Sequence, residues 1–208
     1  KLLNSRGEFL SAADGEQVLK LAAKEEFEYA EVDELGTVVE KDYTPYHINQ
    51  VLALKLVNRD AIAQAALKIV VDAVNSVGGV VIPALLRALG VKEIIELNCE
   101  PTGHFAHNPE PIPENLTQIA AKMKESRADL GIVVDPDVDR LALISENGEM
   151  FGEEYTLVAV ADYVLKHTPG NTVSNLSSSR ALKDVTEAYG QQYHAAAVGE
   201  VNVVAEMK

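Results

Sequence analysis

Several residue classes are scarce in this sequence of 208 residues, and each scarcity excludes a class of protein. Cys99 is the only cysteine, so a disulfide framework is excluded and a reducing compartment is expected. The chain has 18 basic residues against 32 acidic ones, which gives a formal net charge of −14. Nucleic acids and anionic membrane surfaces repel so acidic a chain, and we expect neither as a partner.

Long apolar runs are missing as well. No stretch approaches the roughly 20 apolar residues that a membrane-spanning helix needs, and no signal peptide is recognisable. We therefore expect a cytoplasmic protein. Hydrophobic residues still make up 47% of the sequence, which is enough to bury a substantial core.

The most informative stretch is an acidic loop between two apolar runs. The apolar residues on both sides of the loop predict two buried strands. Three aspartates occupy alternate positions between them, followed by an arginine: Asp135, Asp137, Asp139 and Arg140. Three carboxylates this close repel one another, and a divalent cation would relieve the repulsion. Because oxygen ligands favour Mg2+ or Ca2+, the loop predicts such a metal site; a solvated acidic turn is the alternative.

The loop is not an EF-hand, although its aspartates and Glu146 occupy four of the ligand positions of that motif. An EF-hand loop requires glycine at its sixth position, where Arg140 stands, and it lies between helices rather than strands. An arginine beside a metal indicates a phosphate ligand instead, because both would neutralise phosphoryl oxygens.

The stretch Asp135-Pro136-Asp137-Val138-Asp139-Arg140 resembles the metal-binding loop of the α-D-phosphohexomutases. This family comprises the phosphoglucomutases, phosphomannomutases and phosphoglucosamine mutases. Residues 70–79, 100–111 and 177–181 resemble further segments of the family in the expected order. The resemblance covers most of the chain, and the acidic loop is its most specific element.

The resemblance implies a reaction and a set of roles. The reaction is Mg2+-dependent phosphoryl transfer between the 1 and 6 positions of a hexose phosphate, through a bisphosphate intermediate. Asp135, Asp137 and Asp139 would bind Mg2+, and Arg140 would lie beside the phosphoryl group. The expected substrate is glucosamine 6-phosphate, converted to glucosamine 1-phosphate, with mannose and glucose phosphates as the alternatives. No Ser-His-Asn-Pro motif occurs in the chain, so the phosphoserine is expected outside it and the isolated chain is expected to be inactive.

Two further sites rest on the resemblance alone. Lys1 occupies the position of a family lysine that acts as a general acid and base. A frayed terminal lysine is the simpler interpretation of the same residue. Gly199 and Glu200 match a family loop near the bound sugar, and the beginning of a helix explains them equally well.

Strands that alternate with helices predict an α/β fold of repeated βαβ units with mixed, mostly parallel sheets. Helices are also expected over residues 12–29 and 43–57. Residues 67–168 form one complete domain by this pattern, and the resemblance makes it the second domain of the family. Residues 1–66 would be the end of the first domain and residues 169–208 the beginning of the third. We expect a monomer or a homodimer.

Two other functions remain open on the sequence. One is a non-catalytic metal-binding α/β module. The other is a Mg2+-dependent phosphatase, in which Asp135 would be the nucleophile directly after a strand. The serine or threonine motif and the downstream lysine that such a phosphatase needs are not recognisable in the chain.

Overall fold

The computed structural model describes residues 2–208, and of Glu153 it describes only the backbone. The chain forms two compact units, Lys1–Lys41 and Asp42–Lys208. Lys1, the predicted acid and base, lies outside the described residues. Within those residues, the helices are too short or too polar to span a lipid bilayer.

The first unit is built around helix α1 (Ala12–Lys24). The hydroxyl of Ser11 caps the helix by accepting a hydrogen bond from the backbone N–H of Asp14 at 3.2 Å. The helix ends where Glu25 adopts a left-handed conformation with φ of 53°, which is earlier than the predicted end at residue 29. Before it, Leu3 and Phe9 form an antiparallel bridge.

The second unit alternates helices and strands. Its elements in chain order are α2 (Thr44–Leu52), α3 (Arg59–Ala65), β1 (Lys68–Asp72), α4 (Gly78–Ala88), β2 (Glu93–Leu97), α5 (Thr117–Ser126), β3 (Leu130–Val134), β4 (Leu141–Ser145), α6 (Glu153–His167), β5 (Thr172–Asn175), α7 (Ala181–Ala188), β6 (Tyr193–Ala196) and α8 (Glu200–Glu206). The helix predicted over residues 43–57 ends at Leu52. A separate helix, α3, begins after Asn58, whose side chain accepts a hydrogen bond from the N–H of Ala61 at 3.0 Å.

The strands form two sheets. The larger has the order β2-β1-β3-β4, in which β1 is parallel to both β2 and β3 and only β4 is antiparallel. The smaller pairs β5 with β6 in parallel. The predicted α/β class with mixed, mostly parallel sheets is therefore confirmed.

Helices cover both faces of the larger sheet because successive side chains of a strand point to opposite faces. On one face, Val70 and Val133 pack against Ile119 and Met123 of α5. On the other face, Ile69 and Val71 are grouped with Leu86 of α4 and with Val91. Because both faces are buried, β1 and β3 consist of nearly continuous apolar residues.

Parallel pairing determines where the polar residues meet. The carboxyl ends of β1, β2 and β3 lie at the same edge of the sheet, and ligands of open α/β sheets bind at this edge. Asp72 ends β1, Asn98 follows β2 and Asp135 follows β3. The register places Asp72 opposite Val133 of β3.

Candidate metal centre

The acidic loop is a short connection between the antiparallel strands β3 and β4. It folds around the first aspartate, whose Oδ1 accepts hydrogen bonds from the backbone N–H groups of Asp139 at 3.0 Å and Arg140 at 3.1 Å. Val138 adopts a left-handed conformation with φ of 59°, and its N–H donates to the carbonyl oxygen of Asp135 at 3.1 Å. A β-branched residue is rarely found in that conformation, and such strain tends to occur at functional sites.

The loop brings the three predicted carboxylates together. One oxygen from each of Asp135, Asp137 and Asp139 lies within 4.8 Å of the other two. Burial raises the pKa of Asp135, and the negative charges of Asp139 and Asp137 raise it further, against the opposing hydrogen bond from the N–H of Arg140. The residues fit a hard divalent cation, because they offer clustered oxygen ligands and a desolvated carboxylate that a positive charge would stabilise.

The side chain of Arg140 lies beside the carboxylates. Its Nη1 forms an ion pair with the carboxylate of Glu110, and its Nε lies 4.0 Å from Oδ2 of Asp135. The hydrogen bond and charge of Glu110 are the main reasons why the pKa of Arg140 is raised. The guanidinium is therefore fully charged, and its side chain is 52% exposed, so an anion can approach it from solvent.

A second set of polar contacts lies at the same edge of the sheet, at the end of β1. Asp72 is completely buried. Its carboxylate accepts hydrogen bonds from the N–H of Val74 at 3.0 Å and from the amide of Asn98 at 3.2 Å, and it lies 3.1 Å from Nε2 of His107. The sequence analysis did not predict the contact between Asp72 and His107. The available signal was an aspartate at the end of an apolar strand, whereas Asp135 was identified by its spacing with Asp137 and Asp139.

The turn that follows β1 is packed against its neighbours. The hydroxyl of Ser76 donates to the carbonyl oxygen of Pro136 in the acidic loop at 2.5 Å. A Cβ on Gly79 would lie 2.1 Å from the carbonyl oxygen of Cys99, so only glycine fits at this position. Close backbone packing is therefore sufficient to explain the glycine pair that begins α4.

The thiol of Cys99 lies at the same edge of the sheet. Burial raises its pKa to about 11, and the negative charges of Glu96 and Asp72 contribute to the increase.

The predicted sugar-binding residues follow the smaller sheet. Gly199 has φ of 119° and directly precedes α8, which begins at Glu200. Helix α8 packs on β5 and β6. The structure thus brings together the metal-site residues and Arg140, whereas Gly199 and Glu200 belong to the segment after the smaller sheet.

Two family models match consecutive parts of the second unit. Residues 45–148 match the model of the phosphoglucomutase/phosphomannomutase alpha/beta/alpha domain II, and residues 152–208 match that of domain III. Both ranges differ from the predicted domains over residues 67–168 and 169–208, and those boundaries stay a prediction.

Curated relatives match over nearly the whole chain. A probable phosphoglucosamine mutase from Methanopyrus kandleri is 34% identical over 88% of this chain and 40% of its own length. A phosphoglucomutase/phosphomannomutase from Thermococcus kodakarensis is 34% identical over 98% of this chain and 44% of its own length. A phosphomannomutase/phosphoglucomutase from Pseudomonas aeruginosa is 36% identical over 75% of this chain. The chain thus spans less than half the length of these relatives.

Two solved structures are also similar to this chain. A phosphoglucomutase/phosphomannomutase family protein from Burkholderia thailandensis superposes with a TM-score of 0.79 at 27% identity, over 95% of this chain and 42% of its own. A putative phosphomannomutase from Thermus thermophilus shares the fold, with a TM-score of 0.71 at 23% identity, over 79% of this chain and 38% of its own.

Proposed function

Because this chain belongs to the phosphoglucomutase/phosphomannomutase family, we propose that the protein is a Mg2+-dependent phosphohexomutase. It moves a phosphoryl group between the 1 and 6 positions of a hexose phosphate through a bisphosphate intermediate. The nucleophile is a phosphoserine outside this chain. The preferred substrate is glucosamine phosphate, and phosphates of mannose and glucose are the alternatives, since relatives of both descriptions match the chain.

The observation that supports the proposal is the cluster of three carboxylates beside a fully charged arginine. Asp135, Asp137 and Asp139 would bind Mg2+, which would supply positive charge next to the phosphoryl oxygens. These side chains contribute only oxygen ligands, in agreement with the preference of Mg2+. Phosphoryl transfer depends chiefly on positioning and on charge stabilisation, and a hydrogen-bonded loop that holds a metal beside an arginine would provide both.

Arg140 would have a different role from the three aspartates. A guanidinium presents five N–H donors in a planar fork, which suits the bidentate recognition of phosphoryl oxygens. Because its Nε lies 4.0 Å from Oδ2 of Asp135, Arg140 would be within reach of a phosphoryl group bound at the metal. Together, the metal and the guanidinium would bind the transferring group from two sides and orient it toward the accepting sugar hydroxyl.

A transfer assay on the full-length protein tests the proposal. Glucosamine, mannose and glucose 1-phosphates are supplied with the matching bisphosphate, and formation of the 6-phosphates is measured with and without Mg2+. We expect transfer that requires Mg2+ and that falls by roughly a hundred-fold or more in Asp137→Ala. Glu146→Ala, which removes an exposed carboxylate from the turn after β4, is the matched control and should retain full activity.

Three results would contradict the proposal. Wild-type transfer by Asp137→Ala would remove the acidic loop from the mechanism. Release of inorganic phosphate without any 6-phosphate product would favour the phosphatase alternative, and Mg2+ binding without any turnover would favour a non-catalytic metal-binding module.

A further inference from the structure

The ion pair between Arg140 and Glu110 joins two loops that are distant in the sequence. Glu110 lies in the connection between β2 and α5, and Arg140 ends the connection between β3 and β4. The carboxylate of Glu110 binds Nη1 of the guanidinium, while Nε lies toward Asp135 at 4.0 Å. The guanidinium is thereby bound from the side of the loop that carries Glu110.

The backbone around Glu110 is well anchored, which restricts the positions that its carboxylate can reach. Prolines precede and follow it, Pro109 and Pro111, and they restrict the backbone. The N–H of Glu110 donates to Oδ1 of Asn108 at 3.1 Å, and its carbonyl oxygen accepts from the amide of Asn115 at 2.8 Å. A carboxylate held in this way limits the orientations that its arginine partner can adopt.

The anchoring extends to the centre of the sheet. Nδ1 of His107 lies 2.8 Å from the carbonyl oxygen of Asn108. Nε2 of the same ring lies 3.1 Å from the buried carboxylate of Asp72. The loop is thus attached to the end of β1 three residues before Glu110.

We propose that Glu110 is a positioning residue for phosphoryl transfer: it orients the guanidinium of Arg140 over the acidic loop. The proposal rests on the proposed function, in which Arg140 binds the phosphoryl group. Glu110 binds Nη1 and Nε lies toward Asp135, which leaves Nη2 to bind the substrate. Without this partner the half-exposed arginine would sample several rotamers, and the fraction of correctly oriented side chains would fall. A surface ion pair without a role in the reaction is the opposing interpretation.

Glu110→Gln in the full-length protein tests this inference, because the change removes the charge and preserves the shape. We expect kcat to fall by roughly five-fold while KM and the affinity for Mg2+ stay unchanged, since orientation matters most in the transition state. Glu114→Gln is the matched control: this glutamate is exposed in the same connection and should leave kcat at the wild-type value.

A double-mutant cycle separates positioning from a general structural effect. In an Arg140→Ala background, Glu110→Gln should cause no additional loss, because the side chain that it orients is gone. The residual activity of both variants is measured by phosphorus NMR on the product that accumulates over long incubations. Equal losses in the two backgrounds, or a wild-type kcat for Glu110→Gln, would overturn the inference.

The same variants distinguish this failure from failure of the proposed function. If Arg140→Ala retained wild-type transfer, the phosphoryl-binding role of Arg140 would be wrong. If Arg140→Ala lost transfer while Glu110→Gln kept it, the proposed function would stand and only the role of Glu110 would be wrong.

Discussion

At the scale of single residues, the buried carboxylate of Asp72 requires hydrogen-bond partners within the protein. It ends β1, is fully excluded from solvent and lies 3.1 Å from Nε2 of His107 in the loop that carries Glu110. A buried carboxylate is tolerated only when its oxygens are hydrogen-bonded. The backbone of Val74 and the amide of Asn98 supply part of that requirement, and His107 supplies the rest.

We therefore expect His107→Ala to lower the free energy of unfolding by about 1–3 kcal/mol, because it removes one of the two partners of Oδ2 in the buried carboxylate of Asp72. Urea-induced unfolding of the full-length protein measures the change. His104→Ala is the control, since that side chain is exposed in the same loop and its removal should leave the midpoint unchanged. Equal midpoints for both variants would show that the contact between Asp72 and His107 does not contribute to stability.

At the scale of elements, helix α4 and the loops at the carboxyl ends of the strands fit closely together. Gly78 begins the helix against Val134, and Gly79 lies against the backbone of Cys99. The turn before the helix also binds the acidic loop, through the hydrogen bond from Ser76 to Pro136. The position of the metal-site loop therefore depends on how closely α4 approaches the sheet.

We expect Gly79→Ala to destabilise the protein by about 1–3 kcal/mol, because the added methyl group overlaps the carbonyl oxygen of Cys99 and forces α4 outward. Calorimetric melting of the full-length protein measures the loss. Gly170→Ala provides the comparison, since a Cβ at Gly170 has nothing within 4 Å and should not lower the melting temperature. A melting temperature for Gly79→Ala as high as that of Gly170→Ala would contradict the close contact.

At the scale of the whole molecule, the negative net charge of the chain and the carboxylates of the acidic loop both favour the binding of a cation. A net charge of −14 and a desolvated aspartate both disfavour the metal-free state, whereas a bound divalent cation reduces the repulsion within the loop. Metal binding and folding should therefore be linked, because a ligand that binds only the native state stabilises it.

We expect Mg2+ to raise the melting temperature of the full-length protein, with a stabilisation of about 2.7 kcal/mol when its concentration is a hundred times the dissociation constant. Asp137→Ala should lose this shift, and Glu146→Ala should retain it. Differential scanning calorimetry with and without a chelator provides the measurement. An identical Mg2+ shift in wild type and Asp137→Ala would show that the cation binds elsewhere.

The sequence alone was sufficient to predict the fold class and the clustering of the three aspartates in the acidic loop. The alternation of apolar strands with helices is a local pattern, and so is the spacing of Asp135, Asp137 and Asp139, because all three belong to one connection between neighbouring strands. Their clustering needs no distant partner. For the same reason Arg140 could be placed beside them without a structure.

Only the tertiary structure decided which distant residues support the loop. Asp72 and His107 are 35 residues apart, and their contact depends on the parallel register of β1 with β2 and on the path of the loop after β2. The pairing of Glu110 with Arg140 likewise requires that the connections after β2 and β3 end at the same edge of the sheet. Local periodicity determines which segments become strands, whereas strand order and register determine which loops meet, because they depend on packing between segments far apart in the sequence.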